Sequence, residues 1–524
     1  MNKIFWWCFL TLLLTACYDD EGNYEYKSKN DITITGIPEK MALLGSAEHI
    51  VCDPAIHSAL EGEITEDNSN YEFKYRIDYK SGHMQNPWPV LNPRGNLKLD
   101  TLAGFSPGNY TLWFTVTDKR TGVSTSAFSE LKITSVVYEG YMILCNEGPE
   151  KRARLDMIAV ISDDRILPAY NVLEPLGLPD LKRAVSIGFN PSLMAGGDQI
   201  YIFTEEGGYK LDPNSFETDE SEHVKYRVFM VSTVPDQLLR LYLVNNYYQL
   251  SAEYLLGVTD LGNVYSLRLL TTGSAFEYPV NTPVQGQTPD YRVAPYLGVS
   301  GARNVNSSSA LLYDVDNKRF IGWNSKNPQT ATPLNNPEQG ALFDYRTGMD
   351  LIYMEGTQFS NGLVYAVLQD DGGTRHVYGI NLAGNNVTQE ACYRNIAATD
   401  FNKAEHFAFH SQFPFMYYAA GNQVYSCNLA TGQANPVIPL ADSERVTLLK
   451  FNLFQNPGMS WKPTDDFRAK QYELMVGTYD DRAADGNGGK LRFYKVNNID
   501  NTLTLQNEYS GFGEIVDVVY RERR

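Results

Sequence analysis

Residues 207–213 read GGYKLDP, and a short strand of the same make returns five more times: NVYSLRLLTTG at 263–273, KRFIGWN at 318–324, HVYGINLAG at 376–384, QVYSCNLATG at 423–432 and LRFYKVN at 491–497. Each copy centres on one aromatic: Tyr209, Tyr265, Phe320, Tyr378, Tyr425 or Tyr494. They recur at a spacing of roughly 50 to 70 residues, which suits a repeating unit of four short strands. Before most copies lies an apolar strand and a polar turn, as in QIYIFTEEGGYKLD (199–212), YLLGVTDLGNVYSL (254–267) and FMYYAAGNQVYSC (415–427). The pair therefore reads as the second and third strands of an antiparallel sheet. A helical solenoid would space its apolar residues at a period of 3.6 instead.

A seventh unit fits at the front, where GYMILCNEGP (140–149) and ARLDMIAVIS (153–162) supply the same pair, yet no inner strand precedes Gly140. The missing strand is expected from the other end of the chain. Glu514-Ile515-Val516-Asp517-Val518-Val519-Tyr520 is a lone alternating strand, placed to pair with the first unit and close a ring, which removes open sheet edges. The expected fold is all-β, with a seven-bladed β-propeller over residues 136–524.

Upstream of the repeat, residues 31–135 carry short alternating runs separated by Gly, Pro, Asn and Asp, the pattern of a small antiparallel sandwich. Its clearest strand is Tyr110–Asp118, YTLWFTVTD. Tyr110, Leu112, Phe114 and Val116 fall on one face as the expected core, and Thr111, Trp113, Thr115 and Thr117 on the other. A Pro107-Gly108 turn precedes it, and a strand from Ala127 to Ile133 is expected to follow.

At the N-terminus, Lys3 precedes an apolar run from Ile4 to Leu14 that closes on Leu14-Thr15-Ala16-Cys17. This reads as a secretory signal (1–16), too short to span a bilayer, with Cys17 as the lipidated first residue of the mature chain. Residues 17–30 are polar and aperiodic, as a tether would be. Several acyl chains on Cys17 hold a protein on a membrane durably, so the expected membrane contact is the lipid anchor alone.

The chain of 524 residues has a formal charge of -18, which argues against nucleic acid and anionic lipid surfaces as partners. Outside the signal and Cys17 there are four cysteines, Cys52, Cys145, Cys392 and Cys427, with no CxxC spacing, so neither a zinc site nor a redox motif nor a disulfide pairing is assigned.

The lipobox Leu14–Cys17, the acidic run Asp19-Asp20-Glu21 and the strand Tyr110–Asp118 together resemble the PKD-like family lipoproteins of Bacteroidetes. The acidic run resembles the surface-export signal of lipoproteins in that group. The resemblance implies an outer-membrane, cell-surface location and an accessory role beside a SusC/SusD-type pair, a TonB-dependent transporter with its binding lipoprotein. It brings no catalytic residues with it.

Chemistry is sought in the turns between second and third strands, since propeller ligands commonly sit over the central channel. Three turns are polar: NEGPEKRAR with Glu147, Lys151 and Arg152; QDDGGTRH with Asp370, Asp371, Arg375 and His376; and YDDRAADGNGGK with Asp480, Asp481, Arg482 and Asp485. Guanidinium groups at a funnel mouth grip carboxylates in bidentate fashion, and solvated hairpin turns are the alternative. Asp480, Asp485 and Asn487 also offer oxygens to a calcium ion, without the spacing of an EF-hand. His406 and His410 share a face, but four residues along a strand span about 13 Å, too far for one metal ion, so no metal is assigned to them. Trp88, between two prolines, is the aromatic expected to be exposed for a ligand; Trp461, Tyr247-Tyr248 and Tyr417-Tyr418 are read as packing residues.

No phosphate loop, dinucleotide fingerprint or H-E-x-x-H motif is present, and no cofactor is assigned. The expected activity is capture of a peptide or glycan, not catalysis. Two alternatives stand beside it: a propeller enzyme that degrades glycans or peptides with its acids on different blades, and a subunit that only braces a transporter.

Overall fold

The computed structural model describes residues 30–522 except 46, 80–88, 175–180, 191–197, 228–235, 245–252, 270–274, 277, 284–288, 300–308, 358–361, 383–385, 411–412, 453–469, 471, 484–485 and 498. Cys17, the acidic run after it, Trp88, Trp461, Tyr247, Tyr248 and Asp485 lie outside the described residues. The chain divides into two compact units between Ile133 and Thr134.

In the first unit one sheet runs Lys40–Leu44, Ser124–Thr134, Gly108–Asp118, Tyr71–Tyr79. A second holds Ile32–Thr35, Ala55–Ser58 and Gly62–Ile64, and His49–Cys52 pairs with Leu99–Leu102. The period of two decides the faces. Tyr110, Leu112, Phe114 and Val116 are buried, and they face Tyr79, Ile77, Tyr75 and Phe73 in register. Such directly opposed pairs are what hold two strands in one register. Phe114 and Tyr75 make the centre, with ring centroids 4.5 Å apart.

Among its described residues the second unit forms seven antiparallel sheets. Six are made of strands consecutive in the chain, with inner strands Ala184–Asn190, Leu238–Val244, Gly298–Val299, Asp350–Gly356, His406–Phe409 and Glu444–Phe451. We number these the second to seventh sheets. The first sheet is the exception: its order is Glu514–Arg521, Gly140–Glu147, Arg152–Ser162, Arg165–Ala169, so the last strand of the chain is its inner strand. Gly140 pairs with Arg521 and Asn146 with Glu514, as the lone alternating strand led one to expect. At Gly140 φ is +138° and a Cβ would stand 2.0 Å from the Ile158 carbonyl oxygen, so only glycine starts this strand without displacing its neighbour.

Each inner strand touches the next around a ring. The Ile187 amide donates to Asp517 at 2.9 Å, and Ser186 Oγ to the Leu239 carbonyl at 2.6 Å. Arg240 lies over the Tyr296 ring at 5.7 Å, Tyr296 meets Tyr353 at 5.1 Å, and Tyr353 stacks on Phe407 at 5.5 Å. His410, just past the sixth inner strand, meets Phe451 at 5.3 Å, and Lys450 donates to Asp517 at 2.9 Å, which returns to the first sheet. The second unit is thus a closed, propeller-like ring. The six recurring aromatics sit on the third strand of their sheets and are all buried, which is why the repeat shows in the sequence: they fill the wedge between neighbouring sheets. Tyr417 and Tyr418 are likewise fully buried. Cys52, Cys145, Cys392 and Cys427 are free thiols.

Ending the chain at Phe512 removes the closing strand, bares the edge of Gly140–Glu147, and uncovers the core that Ile515 and Val518, at most 1% accessible, fill. The expected result is loss of the cooperative unfolding transition of the second unit and gain of a hydrophobic-dye signal, with both reversed by a peptide spanning 513–524. A truncated chain that unfolds at the parent's denaturant midpoint would show that closure contributes nothing.

Candidate functional site

The inner strands line a channel of about 680 Å³, within the usual size of small-ligand sites. What aims side chains into it is a device that recurs at the same place. Register slips by one residue between Ala184 and Ser186, Leu238 and Arg240, Leu351 and Tyr353, and Val446 and Leu448; on the last strand it skips Val516. A bulge of this kind bends the strand and changes which face later residues present. The residues that follow the bulge, Ser186, Arg240, Tyr353, Leu448 and Asp517, all line the channel. Two positions on, so do Tyr242, Glu355, Lys450 and Val519.

Most charges in the channel are spoken for. Asp517 accepts from the Ile187 amide through one oxygen and from Lys450 through the other, and Lys450 also donates to the Val518 carbonyl at 3.0 Å. Glu355 accepts from the Phe409 amide at 2.5 Å and from the Tyr353 hydroxyl at 3.0 Å. Burial pushes its carboxyl up to about 7, although both bonds and the Lys450 charge work in the opposite direction. Burial likewise lowers His406, on the channel wall, and takes His410 down to about 4. Among the described residues no group of three His, Cys, Asp or Glu side chains is placed to hold a metal ion.

Arg240 is different. Among the described residues no carboxylate lies within ion-pair reach of its guanidinium; its contact is with the face of Tyr296. Burial works against its charge, but the nearby Tyr242 and Asp517 outweigh that, so it stays a cation. The hydroxyl of Tyr242 donates to the Pro295 carbonyl at 3.1 Å.

The residues singled out in the sequence divide into groups. Lys151 and Asp481 do reach the mouth: Lys151 pairs with Glu514, and Arg445 pairs with both Glu514 at 2.8 Å and Asp481 at 3.1 Å. Glu514 and Arg445 border the channel, so turns of the first and seventh sheets converge there. Arg482, exposed, donates its own bond to Ser443. Glu147 is held instead by Arg152 at 2.5 Å and by Arg154 at 2.8 Å, whose guanidinium also binds Asp156 at 2.7 Å. These two cations keep the Glu147 carboxyl below its ordinary range although burial opposes them.

The structure places the other turn residues within their own hairpins and loops. Arg375 is not at a mouth: it is buried, and donates to Gln369 at 3.0 Å and to the carbonyls of Phe401 and Ala404 at 2.6 and 2.8 Å, so it braces the loop before the sixth sheet. Asp370 and His376 serve the same hairpin. Asp370 caps the amides of Gly372 and Thr374 and faces His376 at 3.4 Å, while Asp371, almost fully exposed, reaches Lys318 at 3.4 Å. In the proposed calcium turn the Asn487 oxygen accepts from Arg154 at 2.6 Å, and a guanidinium in that place repels a cation; Asp480 accepts from the Arg482 amide at 3.0 Å.

The channel residues Arg240, Tyr296, Tyr353, Glu355 and Lys450 are not among the turn residues that the sequence singles out, because they lie in or beside inner strands. A signal was present: single charges inside apolar strands, as in LLRLYLV (238–244) and LLKF (448–451), where an ordinary core strand would carry none.

A carboxyl whose folded-state pKa exceeds its unfolded value binds its proton more tightly in the native state, so it loses stability as pH rises through the interval from 4.5 to about 7. Glu355→Gln has no proton to lose. Its unfolding free energy is expected to exceed the parent's by an amount that grows between pH 5 and pH 8 to about 1–3 kcal/mol. Glu473, also raised to about 7 by burial, remains in both proteins, so only the difference carries the effect. Urea midpoints at the two pH values measure it; parallel profiles would refute it.

A PKD-like family model matches residues 17–172, which spans the first unit and the start of the second. No curated protein matches the chain. Among solved structures the chain is similar to a quinonprotein alcohol dehydrogenase-like protein from Bacteroides thetaiotaomicron, at 11% identity over 94% of this chain and 99% of that one, with a TM-score of 0.42. It is similar to a DUF4784 family protein from Bacteroides caccae at 10% identity over 79% and 96%, with a TM-score of 0.31. A periplasmic gluconolactonase from Pseudomonas aeruginosa is 14% identical over 72% of this chain and 98% of that one, with a TM-score of 0.40.

Proposed function

We propose that this chain is a surface-exposed outer-membrane lipoprotein, anchored through Cys17, that captures a ligand as an accessory subunit of a SusC/SusD-type uptake system. The observation that carries the capture half is the channel: a site of about 680 Å³, closed around by seven inner strands, with tyrosines on its wall and, among the described residues, a cation, Arg240, without a carboxylate. The location half rests on the lipobox and on the PKD-like match over residues 17–172. In this reading the first unit is a spacer or docking module and no bond is broken. A purely bracing subunit would have no use for an unpaired arginine in its channel.

One observation favours a second reading, a glycan-cleaving enzyme. Burial pushes the Glu355 carboxyl on the fifth sheet up to about 7, a second carboxyl, Asp517 on the first sheet, lines the same channel beside Lys450, and glycoside hydrolysis uses two carboxyl groups in one site.

The test is affinity purification from gently solubilised outer membranes with mass spectrometry of what accompanies the chain. The tag belongs in the exposed segment near Glu338, because Arg521 and Glu522 at the C-terminus are buried. A stoichiometric transporter and binding lipoprotein are expected; recovery of this chain alone would defeat the uptake reading. Product release from a polysaccharide panel, lost in Glu355→Gln, would move the assignment to the enzyme.

A further inference from the structure

The channel holds one feature that the capture reading leaves unexplained, namely what Arg240 is for. The wall beside it is a continuous aromatic arc: Arg240 over Tyr296, Tyr296 against Tyr353 at 63° between ring planes, Tyr353 stacked on Phe407 at 25°. The other strong cations of the channel have carboxylates of their own. Arg445 has Glu514 and Asp481, and Lys450 has Asp517. Asp517 is near enough to Arg240 to favour its charge, but both its oxygens are already taken by Ile187 and Lys450. Of the other acids of the wall, Glu355 spends its oxygens on Phe409 and Tyr353, Glu514 is held by Lys151 and Arg445, and Glu405 forms no ion pair with Arg240. Among the described residues this guanidinium has no carboxylate partner, so its donors are open to a ligand, and its planar fork fits the two oxygens of a carboxylate.

We propose that Arg240 anchors the carboxylate of a small ligand in the channel, with Tyr296 and Tyr353 as the platform for the ring or chain that bears it. This rests on the capture reading and deepens it by naming the chemical class: a carboxylic acid such as a uronate sugar or a peptide C-terminus. Tyrosine faces take the CH side of a sugar ring as readily as an apolar side chain. The acid group is therefore what the site demands, and the body is what it tolerates.

Calorimetry on the mature full-length chain tests this with two matched pairs of probes: trigalacturonate against its methyl ester, and an alanine tripeptide against its C-terminal amide. At least one acid is expected to bind about tenfold or more tightly than its neutral partner. Arg240→Met, of similar length and without charge, is expected to abolish that preference while the empty protein still unfolds in one cooperative transition. Arg240→Lys, which keeps the charge and loses the fork, should fall between. The pair that shows the preference tells a sugar acid from a peptide terminus. Equal binding of acid and neutral forms, or acid binding unchanged in Arg240→Met, overturns the carboxylate site and leaves ligand capture standing. Binding of no probe overturns the carboxylate site as well, and the purification of the uptake complex then decides the capture reading independently.

Discussion

The pairing of Glu514–Arg521 with Gly140–Glu147 is the contact on which the rest of the second unit depends. Sheets arranged in a row would leave two unsatisfied faces and an open edge; a ring has neither. Here the ring is sealed inside one sheet rather than between two. The closure is backbone-bonded along seven registered pairs, and its bulge at Val516 matches the bulges of other inner strands. Only because the ring closes does the space at its centre become a walled channel.

Around that closure the molecule sorts its charges by depth. Near the mouth Lys151, Arg445, Glu514 and Asp481 join the first sheet to the seventh in ion pairs that are partly solvated, and such pairs add little stability each. Deeper, Arg154 ties Asp156, Glu147 and Asn487 together with the Gly511 carbonyl, again between the first and seventh sheets. Buried pairs of this kind contribute by leaving no charge unanswered rather than by their net attraction. Set beside them, Arg240 is the exception. A cation left without a carboxylate among the described residues is where a ligand is most reasonably sought.

Much of this was legible in the sequence. Alternation placed Tyr110, Leu112, Phe114 and Val116 in a core, the recurring aromatics marked the third strands, and a lone strand at 514–520 announced the closure. Each of these follows from a local rule: a strand shows its buried face every second residue, and one unit repeated must bury the same position each time. The polar turns were legible as turns but not as sites. Arg375 and Arg482 look alike between neighbouring Asp residues and loop signals, yet one is buried against the Phe401 and Ala404 carbonyls and the other is exposed.

The sequence by itself therefore determined the strands, their order and the residues that fill the wedges, because those are set by neighbours a few positions away. The tertiary structure alone decided which polar side chains face the channel and which cation goes unpaired. Both depend on a one-residue bulge that turns the face of a strand, and on partners far along the chain, as Lys151 is from Glu514 and Tyr296 from Tyr353. Charge type can be read from a sequence, but whether a charge is answered depends on where its distant neighbours come to rest.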